Sequence, residues 1–225
     1  MSTFAIKLIA IVTMLMDHTA ATIVTNPTLY EIMRGIGRVS FPLFAFLLVE
    51  GYFHTSNIYK YIGRMLLFAV VSEFPYDLAF YHTVFSFEMQ NIFYTLALGL
   101  MVMHLITLIL NRWGFEDIRS TILMALVMMA SFVIATVLRF DYMAGGILTI
   151  LLFYFFRQKK VVQAVGLLVI NGYLYSARIQ IFATAAIIFL WFYNGKQGKR
   201  LKYFFYLFYP IHLFLLFLLE AYVFS

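Results

Sequence analysis

The strongest constraint on this chain is a succession of apolar runs, most of them about as long as the ~20-residue helix that crosses a bilayer. Short joints separate them, and charge, proline, glycine or asparagine collects there. Cutting at those joints predicts nine helical spans, at about 4–24, 38–55, 61–80, 91–111, 120–138, 142–157, 160–175, 178–193 and 203–223. Spans six to eight are short and closely joined, so tilted or re-entrant segments would move the count within eight to ten. Soluble domains carry about 25% charged residues; here only 12% are charged and 64% are hydrophobic, too little polar surface to cover a globule in water. The expected fold is therefore an all-α polytopic membrane protein, a single bundle of about nine transmembrane helices. No internal repeat or linker divides it. The first run is interrupted by Asp17-His18 and has no small-residue cleavage site, so it is expected to remain as the first helix rather than to be removed as a signal peptide.

Net charge is +6, which in a soluble protein would suggest nucleic acid. Topology accounts for it instead. Lys7 and the even-numbered joints (Lys60, Arg64; Arg112, Arg119; Arg157, Lys159, Lys160; Lys196, Lys199, Arg200, Lys202) hold twelve of the sixteen basic residues, and the odd joints hold only Arg34, Arg38, Arg139 and Arg178. Basic residues concentrate on cytoplasmic loops, so the N-terminus is expected in the cytoplasm, and no nucleic-acid partner is called for. Cysteine is absent, which removes thiol nucleophiles, thiolate metal sites and disulfides together. The five histidines have no metal-ligand spacing, and Gly35-Ile36-Gly37 is not a dinucleotide fingerprint, because no strand–turn–helix unit surrounds it.

The informative residues are those that topology leaves over. An ionisable side chain at a helix centre costs about 2.5–3.5 kcal/mol and persists where it is buried in protein or used. Asp17, Glu50, Glu73 and Asp77 are such residues. With the N-terminus inside, Asp17, His18, Arg38, Glu73, Asp77, Asn91 and Asp141 all fall in the outer half. Glu73 and Asp77 are i,i+4 on one helical face and would repel unless protonated or paired; Arg34 and Arg38, at the same spacing, are candidate partners. This set forms either an ion-pair lattice or a substrate site in which Arg38, Glu73, Asp77, Asn91 and Asp141 bind substrate. His18 is the candidate general base, since an imidazole takes up and returns a proton near neutrality; a proton relay and a structural hydrogen bond are the other readings. Adjacent helical residues point about 100° apart, so Asp17 either tunes His18 or pairs with an arginine. Toward the cytoplasmic end, Glu50 and His54 are i,i+4, and Tyr209-Pro210-Ile211-His212 marks a kinked segment of the last span. Glu50, His54, Tyr209 and His212 are candidates for a donor site.

Taken in order, several polar islands resemble the TraX family, named after the conjugative-plasmid protein that acetylates the N-terminus of pilin. They are Lys7-Leu8-Ile9-Ala10 through Met16-Asp17-His18; Gly37-Arg38-Val39-Ser40-Phe41-Pro42-Leu43-Phe44-Ala45-Phe46; Glu50-Gly51-Tyr52-Phe53-His54-Thr55; Ser72-Glu73-Phe74-Pro75-Tyr76-Asp77; Gln90-Asn91-Ile92-Phe93; Asp141-Tyr142 with Gly146; and Lys202-Tyr203-Phe204-Phe205-Tyr206 with Tyr209-Pro210-Ile211-His212-Leu213. The resemblance spans nearly the whole chain. More distantly, the family is similar to membrane acyltransferases that carry acetyl from cytosolic acetyl-CoA to an acceptor across the membrane. It implies one acyltransferase-like transmembrane domain over 1–225 in the inner membrane, with acetyl-CoA as donor, an amine or hydroxyl such as a peptide N-terminus as acceptor, His18 and Asp17 as catalytic residues, and no metal. The rival expectation is a proton-coupled permease, where buried acids and histidines are equally at home; the lack of internal repeats and paired broken helices tells against it.

Overall fold

The structure is a computed structural model that describes residues 1–175, 178–199 and 201–224. Arg200, counted above in the last basic joint, and the side chain of Lys202 lie outside the described part. The chain forms α1 (Thr3–Thr22), α2 (Pro27–Gly37), α3 (Ser40–His54), α4 (Ile58–Tyr81), α5 (Ile92–Trp113), α6 (Ile118–Val137), α7 (Met143–Phe155), α8 (Lys160–Val169), α9 (Ala186–Trp191) and α10 (Lys202–Val223). A π-helical turn, Ile170–Leu174, extends α8, and a 3-10 segment, Arg178–Ala185, leads into α9. Extended pairing among the described residues is confined to an isolated bridge between Gln90 and Phe140.

Each of the nine expected spans corresponds to helical structure. The difference lies at 25–37, expected as a joint. Asn26 caps a helix there by accepting from the Leu29 N–H at 3.0 Å, with Pro27 in the first turn, as helix starts favour. α2 escaped notice because Glu31, Arg34 and two glycines dilute its apolar residues. Among the described residues, five segments are long and apolar enough to cross a membrane: Thr3–Thr22, Pro27–His54, Ile92–Trp113, Ile118–Val137 and Tyr203–Val223. α4 is longer than most but carries Lys60, Arg64, Glu73 and Asp77. The helices at 143–155, 160–174 and 178–191 are shorter than the ~20 residues of a straight span.

Six helices close into a ring: α1 packs on α3, α3 on α7, α7 on α5, α5 on α4, α4 on α10, and α10 back on α1. α6 lies outside this ring against α5 and α7; it buries Ser120, Ser131 and Ala135 and packs Met124, Val127, Met128 and Phe132 inward, while Ile122, Leu126, Met129 and Val133 are exposed, an apolar face that suits lipid. Contacts between distant segments define the two ends of the ring. At one end α1 starts and α3 and α7 finish, as the bonds from Arg157 to Glu50 and from Thr3 N to Lys196 O (2.8 Å) record. Most of the basic joints gather there, so it is the basic end. At the opposite end, α1 reaches Asp17 and His18, α5 begins at Asn91, and the turn into α7 carries Asp141.

The α4–α5 junction is organised by one fully buried amide. Asn91 caps α5 through Oδ1, accepting from the Phe93 N–H at 3.1 Å, while its Nδ2 donates to the Ala69 carbonyl at 2.8 Å and to Glu73 Oε2. Asn91→Ala removes a cap worth about 1 kcal/mol and takes from the buried Glu73 carboxyl its side-chain donor, leaving it, among the described residues, only the backbone N–H of residue 91 at 3.4 Å, at a further cost of roughly 2 kcal/mol. The expected result is a loss of about 3 kcal/mol in unfolding of the detergent-solubilised protein. Asn91→Asp, which keeps the cap but opposes a second carboxylate to Glu73, is expected to be no better.

Candidate functional site

The ring encloses a cavity of about 610 Å³, within the usual range for ligand sites. At the basic end it is lined by Thr3, Lys7, Glu50, His54, Tyr193 and Gln197, and at the other by Asp17, His18, Gly37, Asp141 and Tyr142. Between them the wall is mostly apolar, with Phe41, Phe44, Leu47, Leu48, Met65 and Leu96. One void thus joins two polar ends through a greasy middle. The segment after α9 forms part of the basic-end rim and is pinned to the N-terminal segment: Asn194 N donates to Met1 O at 3.0 Å and Phe4 N to Gln197 O at 3.2 Å.

At the far end, Asp17 Oδ2 accepts from Arg34 Nη1 at 2.8 Å and from Arg38 Nη2. The carboxylate is buried, and its second oxygen has no hydrogen-bond partner among the described residues. α1 can approach so closely because residue 37 is glycine: a Cβ there would overlap the Asp17 side chain. The arginines expected to face Glu73 and Asp77 are therefore committed to Asp17. His18, one residue on, points elsewhere. Its Nδ1 lies 2.8 Å from His212 Nε2 on α10, and Phe80 and Tyr209 present ring edges to it at 5.3 and 6.0 Å between centroids.

The remaining expected site residues divide by whether they reach the cavity. Asp17, His18, Glu50, His54, Asp141 and Tyr209 line it; Arg38, Glu73, Asp77, Asn91 and His212 do not. Glu73 is held by Asn91, and Asp77 accepts from the Ser86 N–H at 2.8 Å, anchoring the loop after α4. The two acids serve the α4–α5 connection rather than the cavity wall. His212 sits behind His18, away from the basic end where a donor site was expected. Glu50 receives Arg157 at 2.5 and 3.1 Å and the Tyr193 hydroxyl at 3.1 Å, while His54 bonds the Glu50 carbonyl at 2.7 Å. Arg157 had been assigned to topology, and nothing in the sequence marks Tyr193. With Glu50 neutralised, Lys7 remains a cation on the cavity wall, 5.1 Å over the Phe205 ring.

Asp141 occupies the joint between α6 and α7, followed by two left-handed residues, Tyr142 (φ 64°) and Met143 (φ 44°). Such backbone costs free energy and collects at functional sites. Tyr142 stacks on Phe41 with 4.0 Å between centroids, so the turn is held against the start of α3. Burial pushes the Asp141 carboxyl up to about 6, with the Arg38 guanidinium opposing the shift and Asp17 reinforcing it.

The fold and cavity define an all-helical protein with membrane-length apolar helices around one internal polar site. Residues 2–220 match the TraX protein family, and the chain belongs to that family. It is 32% identical to a probable fimbrial assembly protein FimC (serogroup H1) of Dichelobacter nodosus over 222 aligned positions, covering 88% of this chain and 86% of that protein. No solved structure matches.

Two outcomes follow from this geometry. Gly37→Ala forces α1 and α2 apart at a cost of about 1–3 kcal/mol for overpacking and displaces Asp17, whereas Gly63→Ala, with nothing within 4 Å of the added carbon, leaves the melting temperature unchanged or higher. For Asp141, the folded carboxyl keeps its proton to about pH 6 and the unfolded one to about pH 4. Its stabilisation is complete below about pH 4 and is lost as pH rises through about 6. The melting temperature of the wild type should therefore fall relative to that of Asp141→Asn between pH 4 and 7, and the difference should level off above.

Proposed function

We propose that this chain is a transmembrane acetyltransferase that takes acetyl-CoA at the basic, cytoplasmic end of the ring and acetylates an amine or hydroxyl presented at the opposite side of the inner membrane. The observation that carries the reading is the single cavity running from Lys7 and His54 to His18 and Asp141. A CoA thioester has an anionic head and a long, mostly neutral arm; Lys7 and the basic joints suit the first and the apolar middle suits the second. His18 acts as general base. The acceptor nitrogen attacks the thioester carbonyl carbon, a C–N bond forms, the C–S bond breaks, and the proton that leaves the nitrogen passes through His18 to the departing thiolate, giving the N-acetyl product and CoA thiol. An O-acceptor follows the same course with its hydroxyl proton. Asp17, fixed by Arg34 and Arg38, holds the turn of α1 that presents His18, and Asp141 faces the acceptor. The name of the FimC relative, a probable fimbrial assembly protein, supports a fimbrial subunit as the acceptor class, and an amino terminus is the acceptor group that the family resemblance implies.

The test uses purified protein in nanodiscs. CoA and acetyl-CoA should raise the melting temperature, and acetyl-CoA with a pilin-like peptide should yield CoA thiol and acetylated peptide. His18→Ala should still be stabilised by CoA but lose about 10²–10⁴-fold in turnover. A protein that moves an unrelated solute would not respond to CoA, and undiminished turnover in His18→Ala would remove His18 from the chemistry.

A further inference from the structure

The contact between His18 and His212 settles which nitrogen of each ring carries a proton. His212 is 5% exposed, and its Nδ1 lies 2.8 Å from the carbonyl oxygen of Phe208, one turn earlier in α10. A carbonyl oxygen only accepts, so His212 Nδ1 carries a proton. Among the described residues, neither His18 nor His212 has a carboxylate within ion-pair distance, and a buried charge without a partner is costly. His212 is therefore neutral, and its Nε2 holds a lone pair. The proton in the 2.8 Å contact between the rings must then belong to His18 Nδ1. One nitrogen remains. His18 Nε2 bonds no described residue and belongs to a ring that lines the cavity.

We infer that His212 is a positioning residue: by accepting from His18 Nδ1–H while its own Nδ1–H is tied to Phe208, it holds His18 in the Nδ1–H tautomer and presents Nε2 to the cavity as the proton acceptor. The inference rests on the acetyl-transfer reading only for its catalytic consequence. Without His212, a neutral imidazole reverts toward the Nε2–H form it prefers in water, and its cavity-facing nitrogen becomes a donor that cannot take a proton from an acceptor group. The geometry supports the assignment independently. The two rings lie within 7° of parallel, Phe208 stacks on His212 at 4.8 Å, and Phe80 and Tyr209 flank His18, so neither ring is free to flip and exchange its nitrogens.

The experiment is ¹⁵N NMR of histidine-labelled protein in nanodiscs, with the His18 signals identified by their loss in His18→Gln. In the wild type, His18 Nδ1 should give a protonated and Nε2 an unprotonated shift. In His212→Met, which fills the space without an acceptor, the two should exchange; in His212→Gln, whose amide oxygen can accept, the wild-type pattern should persist in large part. With acetyl-CoA and acceptor, His212→Met should lose about 10²–10⁴-fold in kcat with KM for acetyl-CoA unchanged, the scale expected for loss of a general base or its correct tautomer, and His212→Gln should recover part of the loss. An Nε2–H tautomer at His18 in the wild type overturns the inference, as does a His212→Met protein that folds with the His18 tautomer unaltered. The NMR arm needs no donor, so failure of CoA to bind would remove the acetyltransferase reading and leave the tautomer assignment standing.

Discussion

A carboxylate enclosed by apolar helices has to be neutralised, and the far end of this molecule is arranged around how Asp17 is neutralised. Both arginines that reach it come from the segment that turns α2 into α3. α2 is thereby laid against α1, and residue 37 becomes a point of near contact where nothing larger than glycine fits. Replacing a buried ion pair by well-packed apolar groups is often neutral or stabilising, whereas removing one partner costs about 3–5 kcal/mol. The contribution of the triad is thus geometric more than energetic. It admits one rotation of α1 relative to α2 and α3, and that rotation decides where the next residue, His18, points.

Elsewhere the same constraint is met locally, and this separates charges that hold the fold from those left to the cavity. Glu73 is absorbed by Asn91, Asp77 by the Ser86 amide, and Glu50 by Arg157 and Tyr193. The first two are anchored across the α4–α5 joint, and Glu50 is anchored to the end of α7 and the segment after α9. Among the described residues, what lines the void without an ion-pair partner is a short set: Lys7 and His54 toward one end, and His18 and Asp141 toward the other. Separated by phenylalanine, leucine and methionine, these two polar ends match a long ligand that is charged at one extremity and reactive at the other, better than a compact solute that would need polar contacts throughout.

Much of this was legible in the sequence where the signal is one of cost. Hydropathy marked every helix of the ring, because a long apolar run between charged joints has few alternatives to a helix, and it marked Asp17, His18, Glu50, Glu73 and Asp77, because charge in such a run is expensive. Partners were less legible. Glu73 and Asp77 match the i,i+4 spacing of Arg34 and Arg38, which a lone Asp17 cannot, yet the packing of the helices brings both arginines to Asp17. α2 was missed because amphipathic residues at a joint look like the joint itself. Arg157 was hidden among basic residues that topology already explained, and Tyr193 among sixteen tyrosines. His212 stood out beside Pro210, but a contact with a residue 194 positions earlier leaves no local trace.

The separation of Asp17 from His18 also bears on what the site can do. Where a carboxylate backs a catalytic histidine, it stabilises the imidazolium, so the ring can hold a proton while the reaction proceeds. Here the carboxylate next in sequence is turned to arginines, and the group behind His18 is a second imidazole that is itself neutral. An imidazolium at His18 would be buried without a counter-charge. Under the proposed acetyl transfer, such a base would pass its proton on at once to a group generated in the same step, as a departing thiolate is, rather than store charge between the two faces of a membrane, as a proton-coupled carrier must. The arrangement that makes His18 look unsupported is therefore the one that favours concerted transfer over a relay.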